Sequence, residues 1–188
     1  MKVLVACEES QAVCIAFRKR GHEAYSCDLQ ECSGVHPEWH IKDDVSKHLN
    51  DGWNLIIAHP PCTRLANSGV RWLAERNLWH EMNEAAAFFK MFFYFNYRTG
   101  IPVAIENPIP HKYAMLPKYS QIIQPWQFGH PESKATCLWL YNLPKLQPTN
   151  IVKPEKQSCW RMAPGPERSK LRSKTFPGIA KAMAEQWG

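Results

Sequence analysis

Nowhere in the chain do apolar residues run on for the length of a membrane span, so no segment of it reads as a spanning helix. There is no G-x-G-x-x-G, which argues against a dinucleotide whose pyrophosphate needs that turn. The seven cysteines are odd in number and lack the paired spacing of a disulfide framework, so free thiols in a reducing cytosol are expected. Cys27, Cys32, His36 and His40 match no structural zinc pattern, and no metal is expected. The opening "MKVLVACEES" turns acidic too soon for a signal peptide. No internal repeat is visible.

What is present is a globular composition. Hydrophobic residues make up 45% of 188 residues, enough for one domain, 1–188, with a sizeable core. The net charge of +6 mildly favours a polyanionic partner such as nucleic acid. "KVLVA" (2–6), "EAYSCD" (23–28), "NLIIAH" (54–59) and "PVAIE" (102–106) read as buried strands, and "IKDDVSKHL" as a short strand end with a helical turn. Helical spacing appears over 11–21, stopped by Gly21, and over a long pattern at 71–98, stopped by Gly100. In that pattern "FFKMFFYF" (88–95) reads as core. The alternation predicts an α/β fold with a mostly parallel sheet. The proline-punctuated stretch 120–148 predicts an antiparallel pair at the sheet edge. Residues 148–175 read as a basic loop, and "FPGIAKAMAEQW" (176–187) as a closing amphipathic helix.

The strand ends carry the chemistry. "WNLIIAHPPC" runs an apolar strand into two prolines that cannot donate ladder hydrogen bonds and that fix φ, so Cys62 is the first free side chain of a rigidly entered loop. The other strand ends place Glu8 and Glu9, Asp28, Asp43 and Asp44, and Glu106-Asn107-Pro108 at the same carboxyl edge, where parallel sheets bind ligands. Asp28, after the second strand, stands where an acid accepts hydrogen bonds from ribose hydroxyls. A nucleoside-like cofactor without phosphates is expected. His59 reads as a hydrogen-bonded structural histidine.

In this order "DDV", "PPC", "IENP" and "FGHPESKATCLWL" resemble the motifs of the DNA cytosine-5 methyltransferases. The resemblance implies a Rossmann-like, S-adenosylmethionine-dependent methyltransferase fold. It further implies Cys62 as nucleophile, Glu106 as partner of ring nitrogen 3, Asn107 holding the glutamate loop, and Lys134 beside them. It assigns Cys7, Glu8, Glu9, Ser10, Asp28, Asp44 and Pro60 to the cofactor. Pro61, Arg64, Ser68, Glu132 and Thr136 fall to the substrate, with Gly129 and Pro131 on the same base-pocket segment. Arg161, Arg168 and Arg172, with Lys170 and Lys174, are expected on substrate phosphates. A thiolate adding at carbon 6 makes carbon 5 of cytosine nucleophilic, and a partly protonated glutamate at nitrogen 3 would stabilise the adduct. In a duplex the base must first be flipped out. Small stand-alone chains of this kind resemble those carried by phages.

The pattern also departs from the family. Glu9, Gln11 and Ala12 stand near the expected glycines of the first motif. Glu132 replaces a glutamine, and Lys134 and Thr136 replace two arginines. Only a short stretch separates the Glu132 segment from the final helix, where the family usually carries a target-recognition domain. Three readings therefore stand: a DNA enzyme with loose sequence preference or a protein partner for specificity, an enzyme acting on RNA or a free cytosine nucleotide, and a nucleic-acid-binding protein that has lost catalysis.

Overall fold

A computed structural model of the chain describes residues 1–163, 165 and 168–188. Seven strands form one sheet: β1 (Lys2–Ala6), β2 (Glu23–Asp28), β3 (His40–Lys42), β4 (Leu55–Ala58), β5 (Val103–Pro108), β6 (Gln121–Ile123) and β7 (Thr136–Tyr141). Their order is β3-β2-β1-β4-β5-β7-β6. The first five are parallel, and β7 runs antiparallel to both β5 and β6. This is the expected α/β, Rossmann-like sheet with an antiparallel edge. The helices are α1 (Ala12–Arg18), α2 (Arg71–Glu75), α3 (Trp79–Thr99), α4 (Ser158–Arg161), α5 (Arg168–Ser173) and α6 (Pro177–Trp187). Among the described residues no helix is long and apolar enough to cross a membrane.

The unbroken apolar runs of β1 and β4 reflect burial on both faces. Val3, Val5, Leu55, Ile57 and Ala104 pack against α1 and α6 through Phe17, Ile179, Met183 and Trp187. The alternate residues Leu4, Ala6, Ile56, Ala58, Val103 and Ile105 pack against α3 through Ala86, Phe89, Phe92 and Phe95. Phe89, Phe92 and Phe95 repeat at helical spacing and are fully buried, so the aromatic stretch is core, each ring worth roughly 1.5–3 kcal/mol of burial. Tyr94 and Tyr97 lie on the opposite, exposed side of α3.

Two elements differ from expectation. The helical pattern at 71–98 is two helices, because Asn77 adopts a left-handed φ of 52°. Leu78 N–H then bonds Leu73 O at 2.9 Å and Asn77 N–H bonds Ala74 O at 3.4 Å, the pair of bonds that closes a helix end. The stretch expected as basic loop carries α4 and α5, to whose ends side chains from the segment between β6 and β7 are bonded (below). Pro164, Pro166 and Glu167, within that stretch, lie outside the described residues.

Candidate active site

Sheet register assembles the site. Ala6 pairs with both Cys27 and Ala58, and Ala58 pairs with Ile105, so the parallel pairing of these four strands ends on one row. The next residue on each is Asp28, Cys7, His59 and Glu106. His59 and Glu106 continue the alternation of Ile57 and Ala104 and so fall side by side on the α1/α6 face. Their side chains meet, with His59 Nδ1 2.9 Å from Glu106 Oε2. The side chains are 9% and 16% exposed.

Their charges follow from that contact. Burial pulls His59 towards the neutral ring, but the hydrogen bond and charge of Glu106, with the charge of Glu8, leave its pKa raised. Burial likewise pushes Glu106 up, yet the bond and charge of His59, with Lys134, bring it below the ordinary carboxylate range. Both shifts favour the charged forms of the pair, the direction opposite to that of a partly protonated glutamate: burial alone would protonate it, and an adjacent cation reverses the sign. The hydrogen-bonded histidine expected at position 59 has Glu106 as its partner, because it stands one residue past the end of β4, level with Glu106 on β5.

The loop carrying Cys62 is tied to the exit of β5. Asn107 Nδ2 donates to Pro60 O at 2.8 Å from a buried position. His111 Nε2 lies 2.8 Å from Arg64 O, Asn67 N–H bonds Ile109 O, and His111 N–H bonds Leu65 O. Leu65 and Ala66 N–H both donate to Cys62 O, closing a tight turn behind the thiol. Pro60 is buried, Pro61 exposed and Cys62 half-buried. Burial and then the charge of Glu106 raise the Cys62 pKa, against the opposing charges of Lys134 and Arg172. Arg64 forms a two-pronged ion pair with Glu81 on α3, at 2.8 and 2.7 Å, and Ser68 is exposed.

On the β1–β2 side the loop after β1 lacks glycine yet adopts glycine-like backbone: Cys7 and Gln11 both have φ of 59°. Holding a side chain there costs roughly 1–3 kcal/mol, and the surroundings hold it. Glu8 accepts from Val13 and Cys14 N–H at 2.7 and 3.2 Å, capping α1 where its own N-cap residue, Gln11, makes no cap bond. Gln11 is fully buried, bonding His36 O at 2.7 Å and accepting from His36 N–H at 3.1 Å. Gly34 packs so close to Gln11 that a Cβ there would overlap its side chain. Ser33 N–H bonds both Glu9 O and Glu9 Oε2. The 29–39 loop is thereby strapped to the loop after β1. Among the described residues Glu9 Oε1 is buried without a hydrogen-bond partner, and Lys170 Nζ lies 4.0 Å from Oε2. Asp28 and Asp44 each cap a turn, accepting from Gln30 and Ser46 N–H at 2.9 Å. A cleft of about 320 Å³ opens beside this loop, lined by Ser10, Ala12, Cys159, Leu171, Phe176 and Pro177.

The 129–136 segment serves three helix ends. Glu132 accepts from Ser158 Oγ and Cys159 N–H at the start of α4. Lys134 Nζ donates to Arg172 O at 2.7 Å near the end of α5, where a cation is favoured. Gly178 N–H donates to His130 Nε2 at 2.9 Å at the start of α6. Thr136 is buried, its hydroxyl donating to Lys134 O at 3.3 Å. Gly129 has φ of 85° and bonds Asn150 O. Of the basic residues, Arg161 and Lys174 are exposed, and Arg168, Lys170 and Arg172 half-buried. The structure thus brings together Cys62, Glu106, Asn107 and Lys134, with Arg172 in electrostatic reach. Arg64 is instead paired with Glu81, and Ser68 and Arg161 are exposed.

No protein-family model and no curated protein matches the chain. Among solved structures, the Entamoeba histolytica methyltransferase EhMeth is similar, with a TM-score of 0.45 and 14% identity over 84% of this chain. The chain spans 57% of that protein's length.

Proposed function

We propose that the protein transfers a methyl group from S-adenosylmethionine to carbon 5 of cytosine in DNA, with Cys62 as nucleophile and Glu106 as partner of the base. The observation that carries this reading is the convergence of a loop-borne thiol and a buried carboxylate at the ends of adjacent strands β4 and β5. One hydrogen bond, Asn107 to Pro60, locks the two together.

The residues on the β1–β2 side fit the cofactor. Glu9 offers an unsatisfied carboxylate oxygen, and the cleft beside Ser10 falls in the size range of small-ligand sites. Asp28 stands at the end of β2, where an acid can receive ribose hydroxyls. Glu9, Ser10, Asp28 and Asp44 would hold it, and the bound cofactor supplies an electrophilic methyl group. Glu8 is committed to the N-terminus of α1 and acts as scaffold.

The chain's own residues do the rest. Cys62 attacks carbon 6 as the thiolate, and its raised pKa means that the reactive fraction grows with pH. The positive charges of Lys134 and Arg172 favour that thiolate. The ionised Glu106 accepts from the base's exocyclic amine and fixes the ring over the thiol. When the proton on carbon 5 leaves, the bond between carbon 6 and sulfur breaks and Cys62 regains its electron pair. Lys170, Arg172 and Lys174 supply positive charge for a phosphate backbone.

The test is incubation of the purified protein with tritium-labelled S-adenosylmethionine and unmethylated mixed-sequence duplex DNA, beside a Cys62→Ser control. Label on cytosine carbon 5 that is lost in the control is the expected result. Label entering RNA or a cytosine nucleotide instead would redirect the substrate. No transfer to any of them, with cofactor binding established by calorimetry, would overturn the reading.

A further inference from the structure

The ionised state of Glu106 leaves the proposed reaction short of a proton. Adding a thiolate to carbon 6 drives negative charge towards ring nitrogen 3, and a carboxylate has no proton to give there. Lys134 is turned to the end of α5, its ammonium bonded to Arg172 O. Among the described residues the one side chain hydrogen-bonded to Glu106 is His59.

Resting on that functional reading, we infer that His59 is a proton-supplying, positioning residue: it holds Glu106 through Nδ1 and delivers a proton by way of Glu106 to nitrogen 3 of the base. As Cys62 forms its bond to carbon 6, the Nδ1 proton passes to the Glu106 carboxyl and from there to nitrogen 3. The imidazole is left neutral with its remaining hydrogen on Nε2, Glu106 is a carboxylate again, and the adduct carries no net added charge. When the carbon 5 proton departs and sulfur leaves carbon 6, the nitrogen 3 proton returns by the same route. The net proton released to solvent is the one from carbon 5.

Two observations support this. The pair is largely buried, and its 2.9 Å contact is imposed by strand register, not by flexible loops. The charges around His59 come from three further elements: Glu106 on β5, Glu8 after β1 and Lys134 before β7. Glu106, through its hydrogen bond and its charge, with a smaller share from Glu8, outweighs burial and the ammonium and leaves the pKa of the ring raised, ready to donate near neutral pH.

Two measurements on the full-length protein test the inference. The first is the NMR titration of the His59 ring nitrogens in the wild type and in Glu106→Gln, with no ligand added. The second is methyl transfer to duplex DNA from pH 5.5 to 9.5 for the wild type and His59→Asn. The ring is expected to titrate higher in the wild type than in Glu106→Gln. Wild-type kcat should fall on the alkaline side, whereas His59→Asn, which retains an N–H for Glu106, should lose about 100-fold in kcat. Its KM values should stay within about twofold, and its rate should climb with pH across the whole range without falling. A His59→Asn protein with wild-type kcat and profile overturns the inference, as does a ring titration unmoved by Glu106→Gln. If His59→Asn does not fold, His59→Gln takes its place; if neither folds, the ring titration decides alone. A wild type that transfers nothing at any pH removes the functional reading and this inference with it. A Glu106-dependent titration would then show that the pair exists and that the failure lies with the reaction.

Discussion

Glu8 and Glu106 are both largely buried carboxylates on the carboxyl edge of the sheet, the first just after β1 and the second within β5, the two strands that flank β4. They differ in sign. Glu8 receives two backbone N–H groups from α1, and burial still raises its pKa despite them and the nearby His59. Glu106 receives one imidazole, and its pKa is lowered. A directly bonded counter-charge outweighs desolvation where helix-end dipoles do not. The two ends of the edge are thereby suited to different work. Around Glu8 the chain builds scaffold beside the cleft proposed for the cofactor; around Glu106 it builds a charged pair beside a thiol.

The largest effect that should separate the two ends is Cys62→Ser. Methyl transfer is expected to fall by about 1,000-fold or more, with cofactor affinity by calorimetry within about twofold of wild type. Loss of cofactor binding in that variant would mean that the ends are not independent. Asp28→Ala strikes the opposite end: it should weaken cofactor binding about tenfold, equivalent to about 1.4 kcal/mol, and leave covalent trapping by 5-fluorocytosine DNA at saturating cofactor unchanged. Asn107→Ala cuts the tie between the Cys62 loop and β5. Removing a buried donor from Pro60 O should cost about 1–3 kcal/mol in urea unfolding.

The smallest effect concerns Glu8. Because its folded-state pKa is raised, its protonated form is the one that folding favours. Its contribution is present below the ordinary carboxylate pKa and is lost as pH rises through the raised value. Wild-type stability should decline from pH 5 to 8 through this group. Glu8→Gln should flatten that dependence, measured by urea unfolding at both pH values. An unchanged slope would place Glu8 with Glu106 after all.

Much of the parallel sheet was readable in one dimension. "KVLVA" and "NLIIA" are continuous apolar runs because both of their faces are covered, and the prolines after Ala58 end their strand by covalent geometry alone. The break at Asn77 was not readable, since a helical pattern continues through it and only the left-handed backbone reveals the stop. Nor were the roles of Glu132, Lys134 and His130 at three helix ends. Each partner lies far along the chain, and no local spacing encodes which helix will arrive.

By itself the sequence determined the alternation of strands and helices, the acids at the strand ends and the rigid presentation of Cys62. All of these follow from local hydrophobic period and proline chemistry. Tertiary structure decided the charge state of Glu106. That depends on His59 lying across from it in the register of β4 and β5, and a buried group takes its protonation from what stands within a few ångströms of it.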